Sequence, residues 1–158
     1  MATVVIQVDV CGCMDALATN YNPNANVDDG SCVFPTGCTD PLALNYDPNA
    51  LIDDGSCEYA RPEVVAPNVF SPNADGNNEL FFLDTKNVIE LQLIILNRWG
   101  NVLLDATSVD LTNNNPSWDG KVNGEIASEG VYFYKYIAKG LNNQEVSGHG
   151  FLHLVNKN

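Results

Sequence analysis

Lysine and arginine are absent from the first 59 residues, which carry nine acids; residues 60–158 carry eleven acids and all seven bases, so the chain's formal charge is −13. A surface without cations repels a phosphate backbone, which argues against nucleic acid as a partner. Long apolar runs are missing too. No stretch approaches the roughly 20 residues that a spanning helix needs, so insertion of this chain into a membrane is not expected. The start lacks a basic n-region and a small-residue cleavage site, so no signal peptide is read there. Instead Val4, Ile6 and Val8 alternate like a strand, and residues 1–10 read as the end of a preceding domain, with Met1 as an expression start.

Catalytic signatures are scarce. The only histidines are His149 and His153. Four positions apart on one face of a strand, they would sit about 13 Å from each other, too far to share a metal. No H-E-x-x-H, G-x-S-x-G or Gly-rich phosphate loop occurs. The paired Asp53 and Asp54 lie in a polar stretch with no apolar pocket to raise a pKa. An enzyme is not expected.

What the first sixty residues do contain is a repeat. Residues 13–32 align with residues 38–57 at an offset of 25, and 14 of the 20 aligned positions are identical, both cysteines included. Each unit, 11–35 and 36–59, has few large apolar groups: Leu17, Tyr21 and Val27 in the first, and Leu42, Leu44, Tyr46 and Ile52 in the second. Units this small need a staple. Four cysteines allow three connectivities. The repeat favours closure within each unit, Cys13 with Cys32 and Cys38 with Cys57. Each loop of about 20 residues would then add roughly 3 kcal/mol in the chain-entropy model. Disulfides imply an oxidising compartment, which opposes a complete cytoplasmic protein. Zinc is the competing use of paired cysteines, but it wants close C-x₂-C pairs and four ligands. Cys11 is the odd thiol, either free or paired to a cysteine upstream in a longer parent chain.

Calcium is the one cofactor the composition suggests. In the second unit Asn45, Asp47, Asn49 and Asp53 alternate with other residues, so a winding loop can turn their oxygens toward one ion, with a carbonyl near Leu51. The first unit offers Asn20, Asn22, Asn24, Asn26 and Asp28, with less charge. A third alternating set, Asn73, Asp75, Asn77 and Glu79, lies further on. The competing reading is that these residues form turns and satisfy their own backbone. The units resemble the short Cys-bounded, Asp- and Asn-rich repeats of large bacterial surface proteins, over Gly12–Tyr59.

After a short linker at 60–66, the chain reads as strands at 69–70, 79–83, 88–96, 101–105, 125–127, 131–139 and 145–155. Turn signals separate them: Asn97-Arg-Trp-Gly, Asn113-Asn-Asn-Pro, Trp118-Asp-Gly and Gly140-Leu-Asn-Asn. No segment carries a sustained helical period with a cap. The expected fold class is all-β: an Ig-like antiparallel sandwich of about seven strands over 67–158, preceded by the two stapled, loop-rich repeats. On the strand from Val131, Val131, Phe133, Lys135 and Ile137 share one face, and Tyr132, Tyr134 and Tyr136 the other. The tyrosines read as core edge rather than ligand platform. Trp99 and Trp118, each beside a turn glycine, read either as lids on a sandwich end or as sugar platforms.

Several phrases in this half occur in a fixed order: Pro67-Asn-Val-Phe-Ser-Pro-Asn-Ala-Asp-Gly-Asn-Asn-Glu, Asn97-Arg-Trp-Gly, Trp118-Asp-Gly-Lys-Val-Asn-Gly, Gly130-Val-Tyr-Phe-Tyr and Gly148-His-Gly-Phe-Leu-His-Leu-Val. Together they resemble the gliding-motility-associated C-terminal domain, the type B sorting domain of type IX secretion. The chain departs from that family's usual Gly-Asp-Gly at Ala74-Asp-Gly, and from its usual basic ending at Leu152-His-Leu-Val-Asn-Lys-Asn. The resemblance implies export across the outer membrane to the cell surface, as the terminal part of a large protein such as a gliding adhesin. It also implies outer-membrane β-barrel proteins of the secretion machinery as partners. Contact is then expected through Arg98 and Trp99 of one turn, Trp118 of another, and Phe151, Leu152, Leu154 and Val155 of the last strand. A module of another class, a calcium-dependent adhesion or carbohydrate-binding domain, would use the repeats and the exposed aromatics instead.

Overall fold

The computed structural model describes residues 8–156. Val4 and Ile6 of the expected leading strand lie outside them. The chain divides into two compact units between Tyr59 and Ala60.

The first unit is built twice from one plan. In the first repeat, β1 (Cys11–Gly12) pairs in parallel with β2 (Val27–Asp28). In the second, β3 (Thr36–Gly37) pairs in parallel with β4 (Ile52–Asp53). The hydrogen bonds recur at the sequence offset. Asn22 N donates to Cys13 O, and Asp47 N to Cys38 O, both at 2.9 Å. Asn26 N donates to Val10 O, and Leu51 N to Pro35 O, both at 2.9 Å. Residues 8–10 are drawn into the first repeat by Asn26, whose Oδ1 accepts from Val10 N and whose Nδ2 donates to Val8 O.

Disulfides join Cys13 to Cys32 and Cys38 to Cys57, with Cα–Cα separations of 4.7 and 4.8 Å. They supply the buried centre of each repeat: Cys13 and Cys38 are each 1% exposed. The large apolar side chains counted from the sequence do not form a core. Leu17, Leu42 and Leu44 are each about two-thirds exposed, and Tyr21, Val27, Tyr46 and Ile52 are exposed as well. A unit this short cannot close a shell around leucines, so sulfur and turn hydrogen bonds take over.

The second unit is all-β apart from one 3₁₀ turn, Leu141–Asn143. Its strands are β5 (Glu63–Val65), β6 (Val69–Phe70), β7 (Phe81–Phe82), β8 (Asp84–Lys86), β9 (Glu90–Leu96), β10 (Val102–Ser108), β11 (Ser117–Trp118), β12 (Lys121–Val122), β13 (Glu125–Ile126), β14 (Gly130–Lys139) and β15 (Glu145–Leu154). The stretch 60–66, expected as a linker, contributes β5, which pairs antiparallel with β8. A five-stranded sheet in the order β10-β9-β14-β15-β6 dominates. Its pairs are antiparallel except β15 with β6, which run in parallel. Three short pairs, β7 with β11, β12 with β13 and β5 with β8, make up the rest.

The inner face of the large sheet follows from strand alternation. Leu91, Leu93 and Ile95 of β9 are fully buried, with Ala138 of β14 and Leu152 and Leu154 of β15. They pack in one core with Phe70, Phe81, Leu83 and Trp118. Tyr132, Tyr134 and Tyr136 sit on this inner face, Tyr132 in the core and the other two packed against it. Burial raises the pKa of the Tyr132 and Tyr134 phenols. The Tyr132 hydroxyl is satisfied by donating to Ser128 O at 2.7 Å.

Candidate functional site

Short polar side chains shape the turns. In the second repeat, Asn45 Nδ2 donates to Ser56 O at 2.6 Å while its Oδ1 accepts from Glu58 N at 2.8 Å. One amide thus clamps both sides of Cys57. Asn20 does the same around Cys32, through Ser31 O and Val33 N. Asp47 Oδ1 accepts from Asn49 N, Asp53 Oδ1 from Gly55 N, and Asp54 Oδ1 from Ser56 N. Asn22 and Asp28 make the equivalent bonds to Asn24 N and Gly30 N. Gly30 and Gly55, at φ of +71° and +76°, take the left-handed conformation that completes each Asp-Asp-Gly-Ser turn.

Loop 71–79 folds around a single carboxylate. Glu79 accepts from Ala74 N at 2.9 Å and from Gly76 N at 3.0 Å. Asn73 Oδ1 accepts from Asp75 N, and Asp75 Oδ1 from Asn77 N. In each of the three sets considered for calcium, oxygens are therefore engaged by backbone amides. Among the described residues, no three carboxylate, imidazole or thiol groups gather as a metal cluster.

Hydrogen bonds to ionised carboxylates also set the acid–base properties. The Leu42 amide and then the Tyr59 hydroxyl hold Asp40 below its ordinary pKa. Ser31 lowers Asp29 and Ser56 lowers Asp54, in both cases through the hydroxyl first and then the amide. The Asn77 amide and the Asn73 side chain lower Asp75.

The residues expected to meet a partner differ in exposure. Trp118 is 2% exposed. Its ring packs against Phe70 and Tyr132 at centroid distances of 5.3 and 4.9 Å, and its Nε1 donates to Lys121 O at 2.9 Å. It is a core tryptophan with a satisfied N–H, so it presents no sugar platform. Leu152 and Leu154 are likewise buried in the core. Strand parity turns these three side chains into the core and away from the solvent-facing surface where partner contact is expected. Val155 is half-buried and donates its N–H to Phe70 O.

Arg98, Trp99 and Phe151 remain accessible. The β9–β10 hairpin is closed by Asn97, whose Oδ1 accepts from Trp99 N at 3.0 Å and Asn101 N at 2.9 Å. That turn leaves Trp99 76% exposed, with the Arg98 guanidinium 5.3 Å from its ring centroid. Phe151 is 55% exposed on the outer face of β15, edge-on to His153 at 5.8 Å.

On the outer face of the large sheet only Phe151 is among the residues expected to meet a partner, although the parity of Val131, Phe133, Lys135 and Ile137 is visible in the sequence. Its registers align Val102, Leu96, Phe133 and Phe151 in one row across four strands. The next row is Asp105, Ile94, Lys135 and His149. On the other side of the apolar row lie Val131, His153 and Val69.

A family model, described as the CHU_C type IX secretion signal domain, matches residues 64–154. The chain belongs to this family, and it therefore carries a signal for export across the outer membrane. The matched span is the β-sandwich unit with its β5 strand, so the family's signal is a folded domain in this chain and not an extended tail. No curated protein matches the chain. Among solved structures, CopC from Methylosinus trichosporium OB3b is similar at 13% identity and a TM-score of 0.43, covering 61% of this chain and 92% of that one. Nothing about the function of this chain follows from a likeness at that level.

Proposed function

We propose that the sandwich unit acts as a folded address: the secretion machinery recognises it in the periplasm, and protein joined to it is carried to the cell surface. The observation behind this reading is the family match over 64–154. The stapled repeats support it independently, since structural disulfides form and persist chiefly in oxidising compartments. On this reading the direct partners are outer-membrane β-barrel proteins of the machinery, and the cargo is a large surface protein such as an adhesin. Docking uses the rigid sandwich, through the Arg98–Trp99 turn and the outward side of β15 at Phe151.

The test is a fusion of the whole chain to a fluorescent cargo bearing an inner-membrane export signal. Cargo is expected on the surface or in the medium, and is expected to stay in the periplasm once residues 60–158 are removed. Equal surface delivery without those residues would refute the reading.

A further inference from the structure

The outer face of the five-stranded sheet is unusual for a chain of this charge. One row across it is apolar, and three of its members remain open to solvent: Val102 at 57%, Phe133 at 45% and Phe151 at 55% exposure. Val131 and Val69, both exposed, extend the patch on either side of His153. Monomeric proteins seldom leave contiguous apolar patches of this kind uncovered unless something binds there. A strand could hide these residues simply by a change of parity, yet the inner positions are already filled by the core.

Cations border the same patch. Lys135 stands between Ile94 and His149 in the adjacent row, and Arg98 of the β9–β10 turn, its guanidinium over the Trp99 ring, lines a depression with Phe133 and Lys135. The described ion pairs join Lys86 to Glu63, Lys121 to Asp119 and Lys139 to Glu90, and neither Lys135 nor Arg98 belongs to one. The acid nearest in register to Lys135, Asp105, lies two strands away and accepts from Gln92 Nε2 at 2.8 Å. Two shallow depressions of about 290 Å³ each meet at Lys135 and His149. A protein with a formal charge of −13 thus places two cations that join no described ion pair beside its open apolar row.

We propose that this face is the docking surface for an acidic protein partner, one presenting apolar side chains to Phe133 and Phe151 and carboxylates to Lys135 and Arg98. Charge complementarity selects that occupant, since a cation pair beside an apolar centre is matched by carboxylates at the rim of an apolar patch. The strongly negative remainder of the chain disfavours an anionic lipid surface. The inference rests on the secretion reading and specifies the partner chemistry of the same domain.

Three forms of the full chain, each fused to the reporter cargo, test it in cells with the machinery: wild type, Phe133→Thr with Phe151→Thr, and Lys135→Glu. Threonine keeps strand propensity, and all three positions face solvent, so melting temperatures should match wild type. Val109→Thr, at another exposed position, serves as a control. We expect wild type and control to be exported and each face variant to lose about tenfold in export, the consequence of about 1.4 kcal/mol of lost binding. A photo-crosslinker at position 135 should also trap a protein. Export of both folded face variants at the wild-type level would overturn the proposal alone. Failure of wild type itself to be exported would overturn the secretion reading and this inference with it. Sedimentation of the chain with phosphatidylglycerol vesicles, abolished by Lys135→Glu, would assign the face to lipid and overturn the protein partner.

Discussion

Tyr134 stands directly across the β14–β15 ladder from Gly150, and a Cβ at position 150 would lie 2.5 Å from the tyrosine hydroxyl. Tyr136 and Gly148 repeat the arrangement two residues away, with the corresponding approach at 2.6 Å. The glycines leave the space that the tyrosine rings occupy on the inner face. Gly150→Ala should cost about 1–3 kcal/mol by overpacking, read from urea denaturation. In a double-mutant cycle, Tyr134→Ala should relieve part of that cost. Additive losses would show that the ring does not occupy this space.

Ala74 has a φ of +62°, in the left-handed region that favours glycine. An L-residue in the left-handed region pays roughly 1–2 kcal/mol per position. Ala74→Gly should therefore stabilise the sandwich unit by about 1 kcal/mol, offset in part by glycine's larger unfolded-state entropy. A lower melting temperature would contradict the left-handed conformation of Ala74 and the fold of loop 71–79 around Glu79.

Each repeat relies on its disulfide because its leucines are exposed. Replacing Cys38 and Cys57 together by serine should destabilise the second repeat by about 3 kcal/mol. Calorimetry should show the sandwich transition unmoved. Since oxygens of the repeats cap turn amides, adding calcium or a chelator is expected to leave the repeat transition where it is. A calcium-dependent rise would instead favour the ion-binding reading of Asn45, Asp47, Asn49 and Asp53.

Asp29, Asp40, Asp54 and Asp75 all have pKa values lowered from the ordinary 3.8. A lowered folded-state pKa adds stability above the unfolded value, and that stability is lost as pH falls through the folded one. Melting temperature should hold from neutral pH to about pH 4 and drop below it. The Tyr59→Phe variant, which removes one donor to Asp40, should drop less steeply over that range.

The four long strands, β9, β10, β14 and β15, were legible in the sequence as extended apolar runs, and period-two burial leaves a direct trace in Leu91, Leu93 and Ile95. The two-residue strands β6, β7 and β13 were read only from apolar residues between turn signals, and β5, β8, β11 and β12, equally short, were not read at all. The sequence separated the tyrosine side of β14 from the Phe133–Lys135 side, and it read the tyrosines as core edge. The glycines at 148 and 150 carry the same message, since they remove side chains opposite the large rings. Trp118 was ambiguous because its neighbours are turn residues, while its ring and N–H are committed to partners distant in sequence or hidden in the turn itself. The repeat registered plainly, but a core made of sulfur in place of leucine follows only from how little chain there is to wrap around an apolar centre.

The most direct measurement compares delivery of the full-chain reporter fusion in a strain with the type IX translocon and in one lacking it. Cargo outside the first strain and confined to the periplasm of the second is the predicted result. The same distribution of cargo in both strains would contradict the claim that the sandwich unit is an address read by that machinery.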